Sequence, residues 1–380
     1  MEFHRYLQPE LKELIDQKLI LLSGPRQVGK TSLSKKIFSD FAYYNYDRRE
    51  DFHVFKNNEW DHSGKLLIFD EIHKMKKWKL WLKDIVDGGR KNKILVTGSA
   101  RLDMAKKMGD SLAGRYFSMR LNPLDLKEAA SLGTPEENYA KLLNVGGFPE
   151  PFFNGTEKFY GLWKRTHLDI ILRQDLISLE NVRDIDGIEL LVQLLSERVG
   201  STISMNSLAK DIGRDDKTIS KWLIVLENLF IIFKVPPYAK NMALGIKKSS
   251  KYYFYDIARV QGDESRKLEN LVALSLKKEI EFLQDTQGID HSLHFSKDKQ
   301  HREIDFVVNR PRGASLLIEV KLSDEEPSKN FDVFARYFPK AEKIQLVRNI
   351  GRPFLSKSGV HVVNALEYLT KLDLIKIDSA

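Results

Sequence analysis

Eight residues, Gly24-Pro25-Arg26-Gln27-Val28-Gly29-Lys30-Thr31, carry the groups needed to hold a polyphosphate. The pattern G-x-x-x-x-G-K-T follows the apolar run Leu19-Ile20-Leu21-Leu22, so a strand feeds a tight loop that opens a helix at Lys30. Glycines at both ends let backbone N–H groups close around a β-phosphate, and the positive end of the helix adds to them. Lys30 is expected to reach the β- and γ-phosphates, Thr31 to ligate Mg²⁺, and Ser32 to complete the first helical turn of the site. ATP with Mg²⁺ is the expected cofactor.

A second set of groups follows about forty residues after Lys30, where Leu66-Leu67-Ile68-Phe69 runs into Asp70-Glu71. Apolar runs of this kind read as buried parallel strands, whose C-terminal ends carry the site in open α/β sheets. Asp70 is placed to hold the Mg²⁺ shell and Glu71 to polarise the attacking water. A third strand, Lys93-Ile94-Leu95-Val96, ends in Thr97-Gly98-Ser99. In ATPases with a central strand between the two nucleotide motifs, a polar residue there senses the γ-phosphate. Thr97 and Ser99 both qualify, and spacing does not choose between them.

The set GPRQVGKT, LLIFDEIHK, ILVTGSAR, SLAGRYFSMRLNPLDLKE and GGFPEP resembles the predicted AAA-superfamily ATPases of bacteria and archaea, which carry a C-terminal domain of unknown function. The resemblance implies an α/β fold class, a P-loop AAA+ type parallel sheet with a helical lid. It also suggests Arg115 as an arginine that senses or stabilises the γ-phosphate, in cis or in trans. Acting in trans, it would make the protein a homo-oligomer. The lysines at 74, 76, 77, 79 and 83, interleaved with Trp78 and Trp81, read better as an amphipathic helix than as a nucleic-acid track. His73 reads as a structural hydrogen-bonder.

These motifs divide the chain into a P-loop ATPase core at 1–123, a helical lid at 124–185, a winged helix-turn-helix at 186–251 and a last domain at 252–380. In the third segment, Gly187–Ser196 is one helix, Asn206–Gly213 a second, and Asp216 caps a third with Ile219, Trp222, Leu223, Val225, Leu226 and Leu229 on its buried stripe. Strands at Phe230–Val235 and Tyr252–Tyr255 complete the resemblance to a winged helix. On DNA, Lys217, Thr218, Ser220 and Lys221 would face the groove and Lys240, Lys247, Lys248 and Lys251 would grip phosphates from the wing. Asp215 and Asp216 oppose that contact, and winged helices also dock proteins.

The last segment holds Glu303-Ile304-Asp305 and, 14 positions beyond Asp305, Glu319-Val320-Lys321. A hairpin brings the two carboxylates together, and alternation points Glu319 and Lys321 the same way while Val320 enters the core. Hard oxygen ligands of this type hold Mg²⁺ or Mn²⁺, and the lysine orients water. With Glu269 on an upstream helix that begins near Lys267, the order resembles the PD-(D/E)xK nuclease fold, with isoleucine where that pattern has proline. The resemblance implies metal-dependent phosphodiester cleavage at Glu269, Asp305, Glu319 and Lys321. A surface hairpin of alternating charge, and the same fold without activity, remain open.

Composition sets the outer limits. The 380 residues carry 61 basic and 53 acidic groups, a net charge of +8 that permits nucleic-acid binding. Zero cysteines exclude disulfides, thiolate zinc sites and cysteine nucleophiles. No apolar stretch reaches membrane-span length, and Met1-Glu2-Phe3-His4-Arg5 lacks a signal pattern, so the expected location is cytoplasmic without membrane association. The expected function is an ATP-binding and hydrolysing AAA+ protein acting with nucleic acid, with DNA the expected partner and an ATP-regulated, metal-dependent nuclease as its further expected activity. The alternative is a nucleotide-controlled protein-binding switch that uses the later domains as scaffolds.

Overall fold

The computed structural model describes residues 3–60, 66–88, 92–98, 112–176, 184–239, 249–310 and 314–375. Two compact units emerge. The first comprises Met1–Asn122 with the short segments Asn228–Phe230 and Asp285–Gln287. Its five-stranded sheet contains β1 (Leu19–Ser23), β2 (Phe41–Asn45), β3 (Leu66–Asp70), β4 (Lys93–Thr97) and β5 (Tyr116–Arg120), in the order β2-β3-β4-β1-β5, all parallel. The central strands β1 and β3 are buried along their whole length, as continuous apolar runs require, whereas the edge strand β2 is half-buried throughout. The core clusters Leu21, Leu67, Phe69 and Val96 with Leu82 and Ile85 of helix Trp78–Asp87. Trp78 and Trp81 pack against it, with Lys76 and Lys77 exposed beside them.

The second unit begins at Pro123. Its first helices are Leu126–Ala129, Pro135–Val145, Pro149–Asn154 and Glu157–Ile170, the second opened by a Thr134–Glu137 capping box. Helices Ile185–Ser196, Met205–Ile212 and Asp216–Asn228 follow, then an antiparallel pair of β6 (Ile232–Val235) and β7 (Lys251–Phe254). The third helix is capped by Asp215, whose carboxylate accepts from Thr218 N at 3.0 Å and Thr218 Oγ1 at 2.7 Å. The cap lies one residue before the Asp216 expected from sequence, because the preceding aspartate offers the same chemistry. β6 also starts later than the apolar run, since Phe230 takes φ 55° where the chain turns out of the helix.

The long helix Glu264–Gln287, capped by Asp263, organises the rest of this unit. It begins three residues before Lys267, the start expected from its apolar spacing. The buried Asn270 amide on this helix donates to Phe254 O and accepts from Phe254 N, both at 2.8 Å, and so satisfies the backbone of β7. A six-stranded mixed sheet completes the chain in the order β12-β13-β11-β10-β9-β8. Here β8 (Ser292–Lys297), β9 (Glu303–Asn309) and β10 (Leu316–Lys321) are antiparallel, while β11 (Glu342–Val347) runs parallel to β10 and to β13 (Val360–Asn364). The two-residue β12 (Phe354–Leu355) lies at the edge. Among the described residues no helix is long and apolar enough to cross a membrane.

Candidate functional site

The loop after β1 delivers its helix, Lys30–Ile37, to the C-terminal edge of the first sheet. Gly24 passes the next strand connection closely, and a Cβ there would lie 2.2 Å from Leu121 O, so only glycine fits. Helix Lys30–Ile37 has no side-chain cap, and the leading N–H groups of any helix lack intrahelical partners. They are the donors an anion requires. The buried Lys30 ammonium folds onto its own loop, donating to Gly24 O at 2.9 Å and Pro25 O at 2.7 Å.

Asp70 is the centre of the site. One carboxylate oxygen accepts from Thr31 Oγ1 at 2.8 Å and Tyr43 OH at 2.9 Å, and the other from Thr97 Oγ1 at 2.5 Å and Glu71 N at 3.0 Å. Parallel pairing accounts for this convergence. Asp70 is in register with Thr97 on β4, and Thr97 with Leu22 on β1, so the ends of three adjacent strands meet where the loop begins. Thr97, one of the two residues considered for γ-phosphate sensing, is buried beside Asp70, and Ser99 lies outside the described residues. Tyr43 is a partner that sequence reasoning missed. Nothing in its own surroundings signals it, and only the β2–β3 pairing brings it in. Burial pushes its hydroxyl pKa up to about 12, so it stays a hydrogen-bond donor to Asp70.

Glu71 adopts φ 56°, a left-handed conformation that is strained for a non-glycine residue and costs of order 1–3 kcal/mol. Its N–H, shared between Asp70 Oδ1 and Thr97 O at 3.0 Å each, holds it there. Burial raises the Glu71 pKa, and an ion pair to Lys74 at 3.4 Å partly offsets that rise. A carboxylate with a raised pKa is a stronger base, which suits proton abstraction from water. His73 is buried with Nε2 3.6 Å from Glu71 Oε2. Arg115 pairs bidentately with Asp87, at 2.7 and 3.1 Å, just before the N-terminal end of β5.

These residues fit Mg²⁺ and a nucleotide. The hydroxyl of Thr31 and the carboxylate of Asp70 touch one another, and an uncapped helix N-terminus stands beside a buried ammonium held on two loop carbonyls. Chemistry and strand order together define a P-loop nucleotide-binding domain whose central strand separates the two motifs.

Three family models match successive stretches of the chain. Residues 16–130 match the model described as AAA domain, 136–260 a domain of unknown function (DUF8612), and 265–368 another (DUF4143). The chain therefore carries an AAA domain and a C-terminal domain of unknown function, as the resemblance of its motifs implied, with a further domain of unknown function between them. An uncharacterized protein of Haemophilus influenzae is 25% identical over 370 residues, covering 86% of this chain and 88% of that protein. Another from Methanocaldococcus jannaschii is 25% identical over 334 residues, covering 78% and 73%. Among solved structures, a signal-transduction ATPase with numerous domains from Pyrococcus horikoshii is similar at 18% identity and TM-score 0.26, covering 75% of this chain, which spans 47% of that one. A DNA polymerase III gamma subunit-related protein of Thermotoga maritima follows at 14% identity and TM-score 0.26, with 58% and 97% covered.

The second constellation also assembles, with additions. The antiparallel register of β9 and β10 pairs Ile318 with Phe306, and one step further sets Glu319 opposite Asp305. Asp305 Oδ2 accepts from Val320 N at 2.9 Å, and Lys321 lies 3.2 Å from Glu319. Glu319 is buried and also accepts from Asn330 Nδ2 at 3.2 Å. Burial, with Glu269 and Glu319 close by, holds the Asp305 pKa well above the usual carboxylate value. Glu303 and Tyr253 join the cluster, and so does Lys251, expected on the wing as a phosphate contact but found here 1% exposed by side chain. Among the described residues no group of three or more acidic or imidazole side chains is arranged to hold a metal ion. On helix Asp216–Asn228, Lys217 and Lys221 are exposed, while the Thr218 and Ser220 hydroxyls are bonded within the helix. Lys240, Lys247 and Lys248 lie outside the described residues.

Proposed function

We propose that the chain is an ATP-hydrolysing AAA+ protein that acts with nucleic acid. The observation that carries the first half is the Asp70 carboxylate bridging Thr31 and Thr97 beside the Lys30 loop. Bound Mg²⁺–ATP supplies an electrophilic phosphorus and the charge that the site neutralises. With it bound, Lys30 would exchange its two loop carbonyls for phosphate oxygens, Thr31 and Asp70 would hold the metal shell, and Glu71 would take the proton of the attacking water. Thr97 hands Asp70's second oxygen its hydrogen bond and lies at the central strand end, where γ-phosphate occupancy is read. Nucleic-acid contact rests on the three-helix unit with its β6–β7 pair, on exposed Lys217 and Lys221, and on the net charge of +8.

A second reading, a protein-binding switch, is favoured by one observation: Ile224, 56% exposed, lies on the same helix face as Lys221, where a groove-reading helix gains nothing from an isoleucine. Steady-state ATP hydrolysis with and without duplex and single-stranded DNA, across a salt series, tests the proposal. Stimulation by DNA that falls steeply with salt supports nucleic-acid action. Hydrolysis unaffected by DNA assigns the helix to a protein partner, and no hydrolysis by a folded chain overturns the ATPase itself.

A further inference from the structure

Lys251 begins β7 and has its backbone fixed on both sides, paired with Val235 on β6 and bridged to Thr202. Its ammonium sits 2.5 Å from Glu303 Oε1, 3.2 Å from Glu269 Oε1 and 3.9 Å from Asp305 Oδ1, and lies 5.5 Å from the Phe295 ring centroid. With its backbone held on both sides, the side chain is enclosed, 1% exposed.

The acidic side chains are equally committed. Glu269 Oε1 accepts from Tyr253 OH at 2.7 Å. Glu269 Oε2 is pressed against the turn at Gly200, where φ is 80° and a Cβ would lie 2.5 Å away. Asp305 Oδ2 belongs to Val320 N, Glu303 Oε2 pairs with Lys297 at 3.1 Å, and Glu319 is shared between Lys321 and Asn330. A hard divalent cation needs several oxygen lone pairs converging on one point. In this cluster they are taken up by the chain's own N–H and O–H donors.

We infer that Lys251 is the resident cation of the C-terminal acidic cluster, standing where a nuclease-type motif would take a divalent metal. The cluster then works as a charged clamp between the β6–β7 pair and the mixed sheet, and it does not cut phosphodiesters. Buried carboxylates are tolerated when paired and hydrogen-bonded, and one ammonium touching three of them supplies the pairing without a metal. The order of acidic residues is kept while the cation has become part of the chain.

The deciding experiment compares the full-length chain with Asp305→Asn, without nucleotide, by thermal melting across a Mn²⁺ titration and by cleavage of supercoiled and single-stranded DNA. Equal responses of both proteins to Mn²⁺, with no cutting that depends on Asp305, are expected. A saturating rise in Tm or metal-dependent cleavage that the Asp305→Asn protein lacks would overturn the inference, since metal would then displace Lys251. Lys251→Gln adds an independent arm. It is expected to melt below the parent chain and to regain part of the loss on adding Mn²⁺, because removing the ammonium leaves a cation position vacant. A folded Lys251→Gln protein whose Tm ignores Mn²⁺ speaks against Lys251 as a metal stand-in. If that variant does not fold, the Asp305→Asn comparison decides alone.

Discussion

Removing Lys278 tests whether the helices that follow the ATPase core belong energetically with the C-terminal half of the chain. Its ammonium, buried on helix Glu264–Gln287, donates to Asp125 Oδ1 at 3.0 Å, Glu128 Oε2 at 2.7 Å and Pro123 O at 3.0 Å. Both carboxylates are almost fully enclosed. Lys278→Ala leaves two buried charges with their principal cation gone, which costs about 3–5 kcal/mol. In a unit of this size each kcal/mol is worth about 2–4 °C, so the second unit's transition is expected to fall by roughly 10 °C. Differential scanning calorimetry of the full chain reads this directly. Adding Asp125→Asn and Glu128→Gln removes the stranded charges while Asn keeps the cap on Glu128 N, and is expected to restore a large part of the loss. A single variant that melts within about 1 kcal/mol of the parent, the value of an exposed pair, would refute the reasoning. The functional consequence is that the segment expected as a lid is tied by Lys278, by Lys127–Glu279 and by Tyr139–Glu264 to the long helix, so any closure it makes carries the C-terminal sheet with it.

The ATP site and the mixed sheet yield three further predictions. Glu71→Gln is expected to bind ATP with unchanged affinity and lose hydrolysis by about 10²-fold or more, read by filter binding beside phosphate release; equal turnover would remove Glu71 as the base. Glu71→Gly should raise Tm while abolishing turnover, because it relieves a left-handed residue worth roughly 1–3 kcal/mol and deletes a half-buried carboxylate. His294 is half-buried beside Tyr238, and its partial desolvation lowers its pKa. Stability from this group is therefore complete above the unfolded value near 6.5 and is lost as pH falls through the lower folded value; His294→Asn is expected to flatten the acid side of a Tm–pH profile, and an unchanged slope would count against it.

Much of the ATP site was legible because its chemistry is local in sequence: a strand, a loop of fixed spacing and a helix start. Asp70 and Thr97 were also legible, since each closes an apolar run and parallel strands present their C-terminal ends together. Tyr43 was not, because its hydroxyl reaches Asp70 only through the choice of β2 as the neighbour of β3. In the C-terminal half, Glu269, Asp305 and Glu319 could be ordered along a motif, and the antiparallel β9–β10 register brought the last two together. Lys251 was read as a phosphate contact because it ends the run Lys247-Lys248-Ser249-Ser250, which has the composition of a solvated loop. Burial of a lysine is decided by what meets it in space, here Glu303 and Glu269, and no local pattern records that. Asp305 shows the same limit from the other side: its spacing suits a metal ligand, whereas one of its oxygens accepts a hydrogen bond from Val320 N.

Arg115 is where strand register bears most on assembly. β5 runs parallel to β1 with Tyr116 beside Leu19 and Arg120 beside Ser23, so the nucleotide loop follows one end of the pair and Arg115 precedes the other. At about 3.3 Å per residue, the ends of these five-residue strands stand roughly 13 Å apart. The guanidinium is further committed to Asp87 on its own side of the sheet. A role at the γ-phosphate of its own chain is thereby disfavoured, which leaves the nucleotide of a neighbouring copy as the place where such a role is tested. The prediction is a complementation. Arg115→Ala and Lys30→Ala are each expected to lose hydrolysis, about 10³-fold or more for a true arginine finger. Mixed, they should recover a fraction of parental turnover, because some interfaces then join an intact Lys30 loop to an intact Arg115. Hydrolysis by Arg115→Ala at the parental rate would reduce the Arg115–Asp87 pair to an ordinary surface ion pair, and two inactive variants that stay inactive when mixed would remove the neighbouring chain from the argument.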